Sequence, residues 1–144
     1  MITLIKNQLD VDTYLALRES VHWKKLSRNQ AQKAIENSLF IVVAYDGNRP
    51  AGMGRIIGDG AVICYIQDLL VSPDYQGMGI GKRILQELRN YALSIREPGT
   101  EMMLDLMCAK NREMFYIKHG FIARPTPRLG PGMIQYLDDR SKTI

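Results

Sequence analysis

Seven residues, Gln76-Gly77-Met78-Gly79-Ile80-Gly81-Lys82, set three glycines at alternate positions and run without a break into an amphipathic stretch over residues 84–95. A glycine-dense turn that opens a helix constrains a fold strongly. The bare backbone lets N–H groups approach an anion, and the first helical turn adds unpaired donors and the positive end of its dipole. The stretch therefore reads as a pyrophosphate cradle for a nucleotide-like ligand, with all seven residues in contact with it.

Two familiar phosphate loops fail the register. A mononucleotide P-loop ending in Gly81-Lys82 needs its first glycine at position 76, which is Gln76, and a Ser or Thr after the lysine, where Arg83 stands. A dinucleotide fingerprint needs a glycine three residues after Gly79, and Lys82 occupies that place. What remains is Gln-x-x-Gly-x-Gly.

Around the cradle, the apolar periodicity predicts alternating element types. Residues 2–6 read as a short strand, and residues 11–21 carry Tyr14, Leu15, Leu17 and Val21 at helical spacing. Ser27 and Gln30 predict a capping box for a helix through about residue 37. Residues 39–45 and 51–57 read as a hairpin about the turn at 46–50, and Asp59-Gly60 signals a turn into a strand over 61–71. The helix over 79–94 sets Ile80, Ile84, Leu88, Tyr91 and Ile95 on one stripe, flanked by Leu85 and Ala92, which must cover a sheet. Beyond Pro98-Gly99, residues 102–109 read as a strand parallel to 61–71. Asn111 is expected to cap a short helix ended by Gly120, and residues 121–123 and 133–137 to close the sheet around a stiff loop at 124–132. The expected fold class is α/β: a mixed, mostly antiparallel central sheet flanked by helices, in one domain over residues 1–144.

Gln76, Gly79 and Gly81 fill the acetyl-coenzyme A signature of the GCN5-related N-acetyltransferase (GNAT) superfamily, which the chain resembles. A second motif agrees: Asn111 followed by Phe115-Tyr116-Ile117-Lys118-His119-Gly120-Phe121 matches the family's later segment in order and spacing. The resemblance, to a small single-domain bacterial-type member, runs from about residue 40 to the end and is weakest over 1–39. It implies acetyl-CoA as donor, with no metal, and direct attack of a primary amine through a tetrahedral intermediate. Main-chain groups of Leu69, Leu70 and Val71 are then expected along the pantetheine arm, with an N–H near Leu70 polarising the thioester carbonyl. Asn111 is expected at the cofactor, and Tyr116 is expected there too, as the acid that protonates the leaving thiolate. An ordinary phenol, with a pKa of about 10, is still protonated at neutral pH and able to donate.

The proton acceptor is left open. Where several family members carry Glu or His, this chain has Gln67, so Asp68, Tyr65 or a water relay remains; Asp68 equally reads as a strand-end carboxylate bound to a turn N–H or an Arg. The run from Gln67 to Val71 resembles the corresponding strand of glucosamine-phosphate acetyltransferases, where the acid at Asp68 lies at the active site. Trp23 and Gln67 are the candidate acceptor contacts, although Trp23 equally reads as packing or a dimer contact. His22 reads as a surface residue, and His119 as a cation at a helix end. The acceptor is expected to be a small amine, with a peptide or protein amine, or a non-catalytic acyl-CoA-binding module, as alternatives.

Composition adds bounds. A net charge of +4 suits a phosphate-bearing ligand or an ordinary solvated surface, and no basic stripe interleaved with aromatics points to nucleic acid. Cys64 and Cys108 are too few for a disulfide framework or a zinc site, and both read as buried free thiols in strands. The polar interruption of residues 1–6 and the absence of a long apolar run predict a cytoplasmic protein without membrane contact, with a homodimer left open.

Overall fold

The computed structural model describes residues 1–143, which fall into two compact units, Met1–Leu106 and the residues from Met107 onward. The first unit is built on a five-stranded sheet in the order β1 (Ile2–Lys6), β2 (Phe40–Asp46), β3 (Arg49–Gly58), β4 (Ile63–Val71) and β5 (Met103–Leu106). The first three pairings are antiparallel and β4 with β5 is parallel, so the sheet is mixed as expected. Helices α1 (Val11–Ser20) and α2 (Arg28–Glu36) connect β1 to β2, and α3 (Ile80–Ile95) connects β4 to β5.

Local chemistry sets these boundaries. Asp10 caps α1 by accepting from Thr13 N–H at 2.7 Å, and the Ser27/Gln30 capping box opens α2 in both directions. The β2–β3 hairpin turns on Gly47-Asn48, with Gly47 at φ +60°. Strand β4 begins two residues later than the sequence suggests. The Asp59 carboxylate captures the N–H groups of Ala61, Val62 and Ile63 at 2.9–3.0 Å and holds them in a turn.

Alternation along the strands divides the core. One face buries Ile41, Val43, Met53 and Leu70 with Val11, Tyr14 and Leu17 of α1 and Ala31 of α2. The other face receives α3, whose Ile80, Ile84, Leu85, Leu88 and Ala92 are buried, while Tyr91 stacks on Phe40 with centroids 4.4 Å apart. Two glycines of β3 let that helix close. A Cβ at Gly54 would lie 2.7 Å from Leu88 Cδ1, and one at Gly52 would lie 2.7 Å from the backbone oxygen of Leu70.

The second unit holds one short helix, α4 (Glu113–Ile117), and otherwise irregular chain. Three expectations are corrected here. Residues 121–123 and 133–137 are not strands: apolar, β-prone chain becomes strand only with a ladder partner, and no pairing involves them among the described residues. Asn111 does not cap α4. Arg112 precedes the helix, while Asn111 sits at φ +70° with its N–H on the Glu113 carboxylate. Cys64 is buried in β4 as expected, but β5 ends at Leu106, which leaves Cys108 exposed beyond it. No helix among the described residues is long and apolar enough to cross a membrane.

The two β3 glycines differ in what a side chain would displace. Gly54→Ala meets the mobile ends of Leu88 and Ile84 and is expected to cost about 1–3 kcal/mol by overpacking. Gly52→Ala meets the β4 backbone and is expected to cost more, in urea denaturation of the two variants beside the wild type.

Candidate functional site

The end of β4 is where the first unit opens. Its ladder with β5 stops at Ile66↔Leu106, so residues 67–71 continue past β5 and keep only β3 as a strand neighbour among the described residues. Within that stretch β4 carries a bulge. Between the pairs Met53↔Leu70 and Arg55↔Gln67, Gly54 alone faces both Asp68 and Leu69. Asp68 takes the left-handed conformation at φ +57°, which Asp tolerates better than most side chains. The simple alternation that would set Gln67 and Asp68 on opposite faces is broken here: Gln67 Nε2 lies 3.4 Å from Asp68 Oδ1.

Strand β4 leads through a short 3₁₀ turn, Pro73–Tyr75, into the glycine stretch. The Gln76 side chain donates to Val71 O at 2.9 Å, tying the turn back to the strand end. Gly77 and Gly79 stand at φ +81° and +80°, and a Cβ at either would meet nothing within 4 Å. These glycines are therefore required by backbone conformation rather than by crowding. Gly79 is the N-cap of α3 and supplies no side-chain cap, and the helical bond Arg83 N–H to Gly79 O closes the first turn. The N–H groups of Ile80, Gly81 and Lys82 are left without an intrahelical acceptor, no acid occupies that turn, and Lys82 adds a cation. This end of a sixteen-residue helix is suited to an anion.

Beneath the bulge lies a buried ion cluster. The Asp68 carboxylate accepts from Tyr14 Oη–H at 2.5 Å, Arg18 Nη1 at 2.5 Å and Arg55 Nε at 2.9 Å. Its side chain is 0% exposed, against 12% for Arg18 and 6% for Arg55. Arg55 also donates to Ala34 O and Ser38 Oγ, and Arg18 to Lys24 O, with its guanidinium 5.5 Å from the Trp23 ring centroid. Burial, with the Asp68 charge and hydrogen bond, pushes the Tyr14 phenol up to about 12. Of the two sequence readings of Asp68, the structure matches the carboxylate bound to Arg: it is covered and its oxygens accept from four donors, Gln67 Nε2 included, a poor position from which to receive a proton from a substrate.

Tyr14, Arg18 and Arg55 are the residues that sequence reading passed over. The available signals were an arginine in an otherwise apolar and glycine-rich strand, which demands a buried partner, and Tyr14 with Arg18 at i, i+4 on one helix face. Of the candidate acceptor residues, Trp23 is half-buried against the α1/α2 core and Gln67 is half-buried beside Asp68.

In the second unit Tyr116 lies on α4, edge-on to Phe115 and Phe121 at 5.0 and 5.7 Å. Burial chiefly, and then the neighbouring Cys108 thiol, push its phenol up to about 12, so it holds its proton at neutral pH. Asn111 is exposed in the turn before α4. No group of three or more His, Cys, Asp or Glu side chains able to hold a metal ion occurs among the described residues.

Known proteins share this architecture. The sequence profile of the Acetyltransferase (GNAT) domain matches residues 36–123. An uncharacterized N-acetyltransferase, ycf52-like, of Prochlorococcus marinus is 31% identical over 122 residues, which cover 81% of this chain and 65% of that protein. Histone acetyltransferase TAP1 of Glycine max is 32% identical over 129 residues, covering 81% and 54%. The chain thus spans between about half and two thirds of the length of these curated relatives. A crystallised protein of unknown function from meticillin-resistant Staphylococcus aureus superimposes with a TM-score of 0.83 at 31% identity, over 94% of this chain and 100% of that one.

The raised Tyr14 phenol has a consequence at alkaline pH. The unfolded phenol, at 10.0, releases its proton before the folded one, at about 12. The unfolded state therefore binds fewer protons between those values, and stability present below about pH 10 is lost as pH rises through about 12. Tyr116 adds a loss in the same window, so Tyr14→Phe is expected to flatten the decline in part. Urea midpoints at pH 9 and pH 11 check this; an equal decline in Tyr14→Phe would contradict the assignment.

Proposed function

This chain belongs to the GNAT acetyltransferase family, and on that premise we propose that it moves an acetyl group from acetyl-CoA to a primary amine of a small molecule by direct attack. One observation carries the donor half of this reading. The open main-chain edge of β4 at residues 67–71 runs into the uncapped N-terminus of α3, so an extended amide-bearing arm and its pyrophosphate have adjoining places to bind. The edge offers backbone donors and acceptors to the arm, and the turn from Gly77 to Lys82 offers N–H groups and a lysine to the phosphates. Main-chain groups followed by helix N–H groups and a lysine are the chemistry that the arm and phosphates of such a donor call for.

The acetyl donor supplies an activated thioester. Leu69, Leu70 and Val71 orient it, and a backbone N–H near Leu70 draws charge onto the carbonyl oxygen. The family resemblance assigns to Tyr116 the proton for the departing thiolate; its phenol carries that proton at neutral pH, although burial makes it a weaker acid than an ordinary phenol. The Gln67 amide cannot take up a proton at neutral pH, and Asp68 is sealed in its ion cluster. The amine proton then falls to Tyr65 or to a water relay. For the acceptor, the half-buried Trp23 ring and the neutral Gln67 amide suit a compact amine better than a multiply charged one. A second reading, transfer to a lysine side chain of a protein, is favoured by the likeness to a histone acetyltransferase.

A thiol-release assay with acetyl-CoA, run against small amines and a histone-tail peptide, separates these readings. Tyr116→Phe is expected to lower kcat about a hundredfold with little change in KM for acetyl-CoA. Gly79→Val is expected to abolish acetyl-CoA binding, because valine strongly disfavours φ +80°. Binding of acetyl-CoA without turnover on any amine would mark a non-catalytic module, and equal affinity in wild type and Gly79→Val would overturn the cradle.

A further inference from the structure

One buried cluster takes no direct part in the chemistry proposed above. Asp68 sits at the left-handed corner of the β4 bulge, at φ +57°, and its carboxylate is gripped by Tyr14 and Arg18 from α1 and by Arg55 from β3. A bulge adds one residue to one strand, and everything beyond it depends on where that residue is absorbed. If Asp68 returned to extended backbone, residues 69–71 would shift by one place against β3 and exchange faces. Leu70 would then leave the α1/α2 core, where it packs with Met53, and the open edge would present different main-chain groups.

The same cluster reaches the loop between α1 and α2. Arg18 binds Asp68 through Nη1 and the carbonyl of Lys24 through Nη2, at 3.0 Å, while its guanidinium lies over both Tyr14 and Trp23. The planar fork of arginine makes this double engagement possible, and lysine, a point charge, cannot reproduce it. Arg55 in turn fixes the end of α2 through Ala34 O and Ser38 Oγ.

We infer that Asp68, Arg18, Arg55 and Tyr14 form a positioning device that locks the register of the open β4 edge to the loop carrying Trp23. Asp68 acts through the backbone it bends. Arg18 couples the strand that holds the acetyl donor to the loop that faces the acceptor, and the inference rests on the donor reading above. A misplacement of about 1 Å in such a site costs up to about a hundredfold in rate, so the cluster governs donor affinity and transfer without touching either reactant.

Arg18→Lys keeps the charge and loses the fork, and Tyr14→Phe loses one hydrogen bond and serves where Arg18→Lys does not fold. Asp10→Ala is the control: it weakens the α1 cap without touching Asp68, so it lowers stability by another route. Calorimetric titration with acetyl-CoA is expected to give about tenfold weaker binding for Arg18→Lys, a smaller loss for Tyr14→Phe, and a change within about twofold for Asp10→Ala. Backbone amide NMR shifts without ligand are expected to move at residues 23–26 and 69–71 in Arg18→Lys and to stay in place in Asp10→Ala. Equal affinities across the three variants, with shifts at 69–71 unmoved, would overturn the positioning role. If the wild type does not bind acetyl-CoA, the donor reading falls, and the NMR shifts still decide whether the cluster sets the register.

Discussion

The first unit depends on the carboxylate of Asp68. Two guanidinium groups and a phenol converge on it from α1 and β3, inside a core that is otherwise apolar. Removing one partner of such a buried set typically costs about 3–5 kcal/mol, because the charges left behind have no water to turn to. That is a large part of the roughly 5–15 kcal/mol that hold an ordinary domain folded. The cluster ties the α1/α2 layer to the centre of the sheet through directional bonds, beside the hydrophobic contacts that surround it.

Its position decides what the sheet can do. The grip falls at the bulge, one residue before Leu69, and from there β4 runs past the end of β5 with one edge open. On the opposite face, Gly52 and Gly54 leave room for α3 to settle against β3, so the helix N-terminus arrives at the end of β4. The Gln76 side chain ties the connecting turn to Val71 O. A strand edge that runs past β5 and a helix N-terminus suited to an anion thus meet through packing alone, before any ligand is considered.

Features specified locally were legible in the sequence. The capping box at Ser27, the stripe of α3, the glycine turn and the hairpin at Gly47-Asn48 each depend on residues within a few positions of one another. Features that need distant partners were not. Residues 121–123 and 133–137 have the composition of strands but lack a ladder, and β4 starts late because one aspartate gathers three N–H groups. Asp68 was visible as a residue of interest. An Arg partner was among its readings, but the particular arginines and the Tyr14 phenol were not, because Tyr14, Arg18 and Arg55 lie 54, 50 and 13 residues away in sequence. Of the cradle glycines, which the sequence presents as bare backbone open to an anion, Gly77 and Gly79 also stand at positive φ, a requirement that only the backbone conformation reveals.

The central claim is that the β4 edge and the α3 N-terminus together receive acetyl-CoA. Amide hydrogen exchange, with and without acetyl-CoA, tests it most directly because it reads main-chain groups one by one. The account predicts slowed exchange at residues 69–71 and 77–82 on addition of the donor, with β1 and β2 unchanged. Slowing elsewhere in the chain, with those two stretches unaffected at saturating acetyl-CoA, would contradict it.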